Sequence, residues 1–168
     1  RAVAAFIGVP SRRQVIFAAG NLAQCLCFMG RPAQALAVAR QHLIPLIRTD
    51  DPPALHRDEE IARALLDSGQ VDEAAAALGS DVVDDGLGQE QLTGRVCLLA
   101  RILLYRGEAA GALALCRDRQ ADLAGEASPS TTAAYDQVDL HRITARAAAA
   151  LGHHDLAYRE LEAAWTVN

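Results

Sequence analysis

A chain of 168 residues that is 51% hydrophobic and 22% charged can bury a sizeable core and is too apolar to remain disordered. Its formal charge of −5, with arginine as the sole strongly basic residue type, argues against direct nucleic-acid binding, which needs clustered excess positive charge. No apolar run approaches the roughly 20 residues that span a bilayer and no cleavable signal is visible, so the expected setting is cytoplasmic, without a membrane partner.

In chain order, residues 1–10 read as the end of a preceding helix, an apolar stub closed by Gly8 and Pro10. Ser11-Arg12-Arg13-Gln14 has the form of a capping box. A helix then runs to Met29, turns at Gly30-Arg31, and is followed by a second helix with Pro32 in its first turn. That second helix is expected to reach about Ile47, with Pro45 distorting its last turn. Beyond the linker Thr49-Asp50-Asp51-Pro52-Pro53, a helix starting near Pro53 pairs with one from Val71 to about Leu78. An acidic loop, Gly79 to Gly88, leads to a third pair from Gln89 to about Ala124, and Gly125 to Ser130 breaks the chain again. A long helix from about Thr131 to Leu151 and a last one from His154 onward form the fourth pair. No stretch alternates like a strand, so the chain reads as all-α. It lacks an initiator methionine and a stop signal at Asn168, and is expected to be a piece of a longer protein.

The four pairs share one pattern. Gly30, Gly69, Gly107 and Gly152 each follow a helix and are followed five residues later by Ala35, Ala74, Ala112 and Ala157. Seven residues before each glycine stands another alanine, Ala23, Ala62, Ala100 or Ala145, and four before it Leu26, Leu65, Leu103 or Ala148. Small residues on both helices allow two antiparallel helices to cross closely, and glycine permits the positive φ that ends the first of them. The first halves read Ala19-x2-Leu22-Ala23-x2-Leu26, Asp58-x2-Ile61-Ala62-x2-Leu65, Val96-x2-Leu99-Ala100-x2-Leu103 and His141-x2-Thr144-Ala145-x2-Ala148; the second halves include Ala35-x3-Ala39, Ala74-x3-Leu78, Ala112-x3-Cys116 and Ala157-x3-Leu161. This pattern resembles the tetratricopeptide repeat, W-x2-L-G-x2-Y then A-x3-F. It departs from that family in lacking its tryptophan and final proline, and in glycine spacings of 39, 38 and 45 residues, longer than the usual repeat. Such stretched repeats are similar to those of bacterial regulatory proteins. The resemblance implies an α-solenoid of about four helix-turn-helix repeats in a right-handed superhelix, spanning 11–168 with repeats at 11–50, 51–88, 89–128 and 129–168.

Local motifs for chemistry are absent. Cys25, Cys27, Cys97 and Cys116 follow no C-x-x-C spacing and read as reduced, buried thiols. Read as an EF-hand starting at Asp81, the acidic loop would place Val83 and Leu92 at ligand positions, so calcium is not expected. Gly86-Leu87-Gly88 lacks the strand and lysine of a phosphate loop, and His153-His154 points its neighbours to different faces. No catalytic residue, cofactor or metal site is assigned, and the segment is read as non-enzymatic.

One register invites a ligand. Six residues before the glycines stand Gln24, Arg63, Arg101 and Arg146. The resemblance implies that this register lines a concave groove, with Asn21, Glu60, Leu98, Tyr105 and Arg142 as neighbours. Guanidinium groups there would accept an acidic peptide, a C-terminus or another anion. The plainer alternative is a solvated face in which Glu60 and Arg63 form an i,i+3 pair. A second expected surface is the C-terminal helix, where Leu161 and Trp165 would form a homodimer interface unless a continuation of the chain or the repeat itself covers them. The whole is read as a protein-interaction or ligand-sensing module, the regulatory segment of a bacterial signalling protein such as a transcription activator. The alternative is the sensory or dimerisation region of a diguanylate cyclase.

Overall fold

The computed structural model describes residues 12–44, 54–79, 89–124 and 131–167. The N-terminal stub, Ser11 of the capping box, the end of the second helix beyond residue 44, the linker, the acidic loop beyond Gly79 and the Gly125 to Ser130 loop lie outside them. Eight helices are described: α1 (Arg12–Phe28), α2 (Pro32–Val38), α3 (Ala54–Asp67), α4 (Val71–Leu78), α5 (Gln89–Tyr105), α6 (Ala109–Leu123), α7 (Thr131–Ala150) and α8 (His154–Thr166). No strand occurs among the described residues. The chain divides into two compact units, Arg1–Gly79 and Ser80–Asn168.

All four helix pairs turn by the same chemistry. Gly30, Gly69, Gly107 and Gly152 have φ of 67°, 78°, 80° and 77°, a conformation that costs any residue with a Cβ. The amide after each glycine donates to the carbonyl five residues back, from Arg31 to Leu26, Gln70 to Leu65, Glu108 to Leu103 and His153 to Ala148, at 2.8 to 2.9 Å. The glycine amide itself bonds three residues back, completing a Schellman closure that satisfies carbonyls orphaned at the helix end. The residue after the glycine then serves as N-cap of the next helix, and its carbonyl accepts the amide of Ala35, Ala74, Ala112 or Ala157 at 3.0 to 3.1 Å. The five-residue step from glycine to alanine is thus one helix end plus one helix start.

That step also sets the packing. Ala35, Ala74, Ala112 and Ala157 are buried, as are Ala23, Ala62, Ala100 and Ala145 on the opposing helices. A small side chain on each helix lets the two backbones approach, and the leucines around them bring the apolar area, each worth about 2–3 kcal/mol when fully buried.

In the first unit α1 packs on α2 and α3, and α3 on α4. A core cluster joins Ala23 and Leu26 of α1, Ala35 of α2 and Ala64 of α3, with Cys27 and Val38 against it. From Ala39 to Leu43 the second helix of the first pair is wound as a π-helix. The sequence places Pro45 four residues after Gln41, so no amide can close an α-turn onto that carbonyl. Pro45, where the distortion of the last turn is expected, lies outside the described residues.

In the second unit α7 is central and packs on α5, α6 and α8. Its core includes Val96, Cys97 and Ala100 of α5, Ala112, Leu113 and Cys116 of α6, Leu140, Ile143, Ala147 and Ala148 of α7, and Ala157 of α8. The register of the first three pairs changes in the fourth: Ala39, Leu78 and Cys116 are buried four residues after the alanine, whereas Leu161 is exposed.

Candidate ligand groove and polar clusters

The residues singled out as a groove fall into different environments. In the first unit Asn21 is exposed and Gln24 half-buried on α1. Glu60 and Arg63 of α3 lie 4.0 Å apart, one turn from each other, and both side chains are mostly covered. The cover is α1: a Cβ at Gly20 would stand 3.2 Å from Cγ of Glu60, so the glycine makes room for the carboxylate stem. Cys27 belongs to the same cluster. Burial, then a hydrogen bond to Asp67 and its charge, push the Cys27 thiol up to about 12, with Arg63 pulling the other way. Glu60 and Arg63 therefore act at the α1–α3 contact, as an ion pair with neighbours on both helices.

In the second unit Leu98 is fully buried. It is a core residue and not a groove contact, because burial on all sides leaves no surface for a ligand. Arg101 is half-buried and Tyr105 exposed on α5, while Arg142 and Arg146 are exposed one turn apart on α7. Arg142 lies 4.0 Å from Asp139, an exposed pair of small energetic weight. The described part of the last helix exposes both Leu161 and Trp165.

A cluster that the motif reading did not single out joins three helices of this unit. Glu160 Oε2 on α8 accepts from Gln120 Nε2 of α6 at 2.8 Å and lies 2.7 Å from His141 Nδ1 of α7. Gln120 Nε2 and His141 Nδ1 are 3.1 Å apart. Because an ionised carboxylate only accepts, this arrangement selects the tautomer or charge state with a proton on Nδ1. Beneath it, Cys116 is fully buried. Desolvation raises its thiol to about 11, a hydrogen bond to Thr144 opposes that, and the Glu160 charge adds to it. Cysteine, histidine and glutamate thus meet in one region, but a protonated thiol without solvent access is no nucleophile at neutral pH.

A second buried polar contact ties α6 to α5. Arg119 Nε donates to Thr93 Oγ1 at 3.0 Å, and its Nη1 lies 3.8 Å from Asp122 Oδ2. All four cysteines are free, and Cys25, expected in the core, is exposed: it stands two residues from both Ala23 and Cys27, on the opposite side of α1. Among the described residues, no group of three His, Cys, Asp or Glu side chains could hold a metal, and no helix is long and apolar enough to cross a membrane.

The repeated Schellman turn, the buried alanine pair and the antiparallel hairpins together define a tetratricopeptide-like helical-repeat architecture. No family model and no curated protein significantly matches the chain. Two solved structures are similar to it. One is a Podosopora anserina putative kinesin light chain with nearly identical TPR-like repeats, 19% identical, covering 95% of this chain and 97% of that one, with a TM-score of 0.45. The other is a glutamine-to-methionine variant of that putative kinesin light chain, also 19% identical, covering 94% and 96%, with a TM-score of 0.42.

Proposed function

We propose that this chain is a non-catalytic interaction module that binds an acidic peptide segment through the first helices of its repeats. One observation carries the reading: Arg142 and Arg146 stand exposed one turn apart on α7, and Arg101 occupies the register of Arg146 on the neighbouring α5. Guanidinium groups so spaced suit carboxylates, to which they donate paired hydrogen bonds. Tyr105, half exposed at 51%, adds an aromatic edge at the end of α5.

Titrating the protein into a fluorescein-labelled peptide rich in Asp and Glu, read by anisotropy, tests this. Saturable binding that weakens with salt and falls about tenfold or more in Arg146→Ala is expected for a charge-assisted contact. Absence of binding, or equal affinity in Arg101→Ala, Arg142→Ala and Arg146→Ala, would remove the acidic ligand. In a longer cytoplasmic protein the module would serve as the regulatory segment of a bacterial signalling protein, a transcription activator; a diguanylate cyclase is the alternative. Sequencing the reading frame beyond Asn168 separates them, by a helix-turn-helix domain or a cyclase domain.

A further inference from the structure

We propose that the exposed stripe of α7 recognises a peptide segment of divided charge, basic at one end and acidic at the other. The inference rests on the binding of carboxylates by Arg142 and Arg146 proposed above, and names what the rest of that helix selects. Tyr135, Asp139, Arg142 and Arg146 follow one another at steps of four, three and four residues, which places them on one side of a helix. Each reaches solvent: Tyr135 is 72% exposed, the Asp139 and Arg142 side chains are 44% and 66% exposed, and Arg146 is exposed.

The charges along this helix are sorted. Both acidic residues of α7, Asp136 and Asp139, precede both of its arginines, Arg142 and Arg146. A helix dipole favours that order only within the first and last turns, and Asp139 and Arg142 lie in the middle of the helix, so helix stability does not account for them. Asp139 and Arg142 lie 4.0 Å apart, but both are largely in water, where such a pair contributes little and opens readily to a competing charge. A uniformly acidic ligand over Arg142 and Arg146 would bring its next carboxylate against Asp139 and be repelled there. Basic residues at that end would instead pair with Asp139 and lay a cation over the Tyr135 ring. The stripe from Tyr135 to Arg146 is about 16 Å long, the span of about five residues of extended peptide, so both ends fit within one short segment.

Anisotropy titrations of the whole 168-residue chain with fluorescein-labelled peptides of one length test this. One peptide is all-acidic, two carry a Lys-Lys block and a Glu-Glu block in either order, and one carries the same lysines and glutamates alternating. In one of the two orders the block peptide is expected to bind about fivefold or more tightly than the all-acidic peptide, and more tightly than the alternating one. Asp139→Asn, with unchanged far-UV circular dichroism, should weaken the block peptide and strengthen the all-acidic one, while Tyr135→Ala should weaken the block peptide alone. Equal affinity for block and alternating peptides, or a preference for blocks that survives in Asp139→Asn, overturns the proposal. Binding of the all-acidic peptide without any preference for divided charge overturns it and leaves the carboxylate site standing. Binding of a block peptide alone supports it and removes the all-acidic ligand. No binding of any peptide overturns both.

Discussion

His141 of α7 and Glu160 of α8 meet at 2.7 Å, and the same carboxylate oxygen receives Gln120 from α6. One acceptor therefore holds three helices that belong to two successive repeats. Both ionisable side chains are largely covered, so water replaces the lost contact poorly when the acceptor is removed. Glu160→Ala is expected to destabilise the protein by about 1–3 kcal/mol, more than His141→Ala, because it strands two donors, whereas loss of His141 leaves Glu160 still accepting from Gln120. Thermal melts of the two variants check the order, and a double-mutant cycle with Gln120→Ala should show coupling.

The buried alanines after the glycines make the repeat register testable. Ala112 has no exposed surface, whereas Ala124, at the end of α6, is exposed. Ala112→Leu should cost about 1–3 kcal/mol by forcing α5 and α6 apart, while Ala124→Leu should stay within about 0.5 kcal/mol of wild type. Urea midpoints at equal slope give the comparison.

Gly107 separates strain from sterics. Nothing lies within 4 Å of where its Cβ would stand, yet its φ is +80°. Gly107→Ala should therefore cost about 1–2 kcal/mol from backbone conformation alone. Gly107→Asn should recover part of that, because asparagine tolerates the left-handed region better. Equal losses for the two variants would point to a steric cause.

The hairpins were legible in the sequence because their information is local. A glycine, the residue after it and an alanine five positions on lie within one turn of chain, and the Schellman bonds that use them need no distant partner. The helix starts at Val71 and His154 follow from the same punctuation. Side-chain environment was legible only where the repeat fixes it. Leu98 and Arg101 share α5, and nothing in their spacing says that one is fully buried and the other half-buried; that depends on what packs over each. As a small apolar residue type Cys25 reads as buried, although the two-residue step from Ala23 turns it outward. His141 appears in the repeat pattern at the position where the family carries tryptophan. Its partners Gln120 and Glu160 stand 21 and 19 residues away on other helices, so their meeting depends on the register between helices, which a single sequence does not state.

The cysteines offer a chemical readout of those environments. Cys25 is exposed, whereas burial first and neighbouring carboxylates second raise Cys27 to about 12 and Cys116 to about 11. Iodoacetamide at pH 8 on the native protein should modify Cys25 first, with Cys27 and Cys116 reacting only on the timescale of opening, as mass spectrometry of timed samples will show. The raised values also set a sign. Between the ordinary thiol value of 9.0 and about 11 the folded chain holds protons that the unfolded chain has released, so stability falls as pH rises through that window. Stability that rose between pH 9 and 11 would contradict burial of these thiols.

Arg119 provides the last test, because a buried guanidinium is costly unless it is well paired. It is almost fully covered, and its Nε donates to Thr93 Oγ1 of α5 at 3.0 Å. Arg119→Met keeps the apolar stem and removes the charge, leaving the Thr93 hydroxyl without this donor, while Thr93→Val leaves a buried Nε without its acceptor. The second change should be the more damaging, since an unsatisfied charged donor costs more than an unsatisfied hydroxyl. A loss of about 1.5–3 kcal/mol is expected for Thr93→Val, with a smaller loss for Arg119→Met. The double variant should be more stable than the sum of the two losses implies, because removing both partners leaves neither group stranded. Additive losses in urea unfolding would mean that the two side chains do not interact in solution.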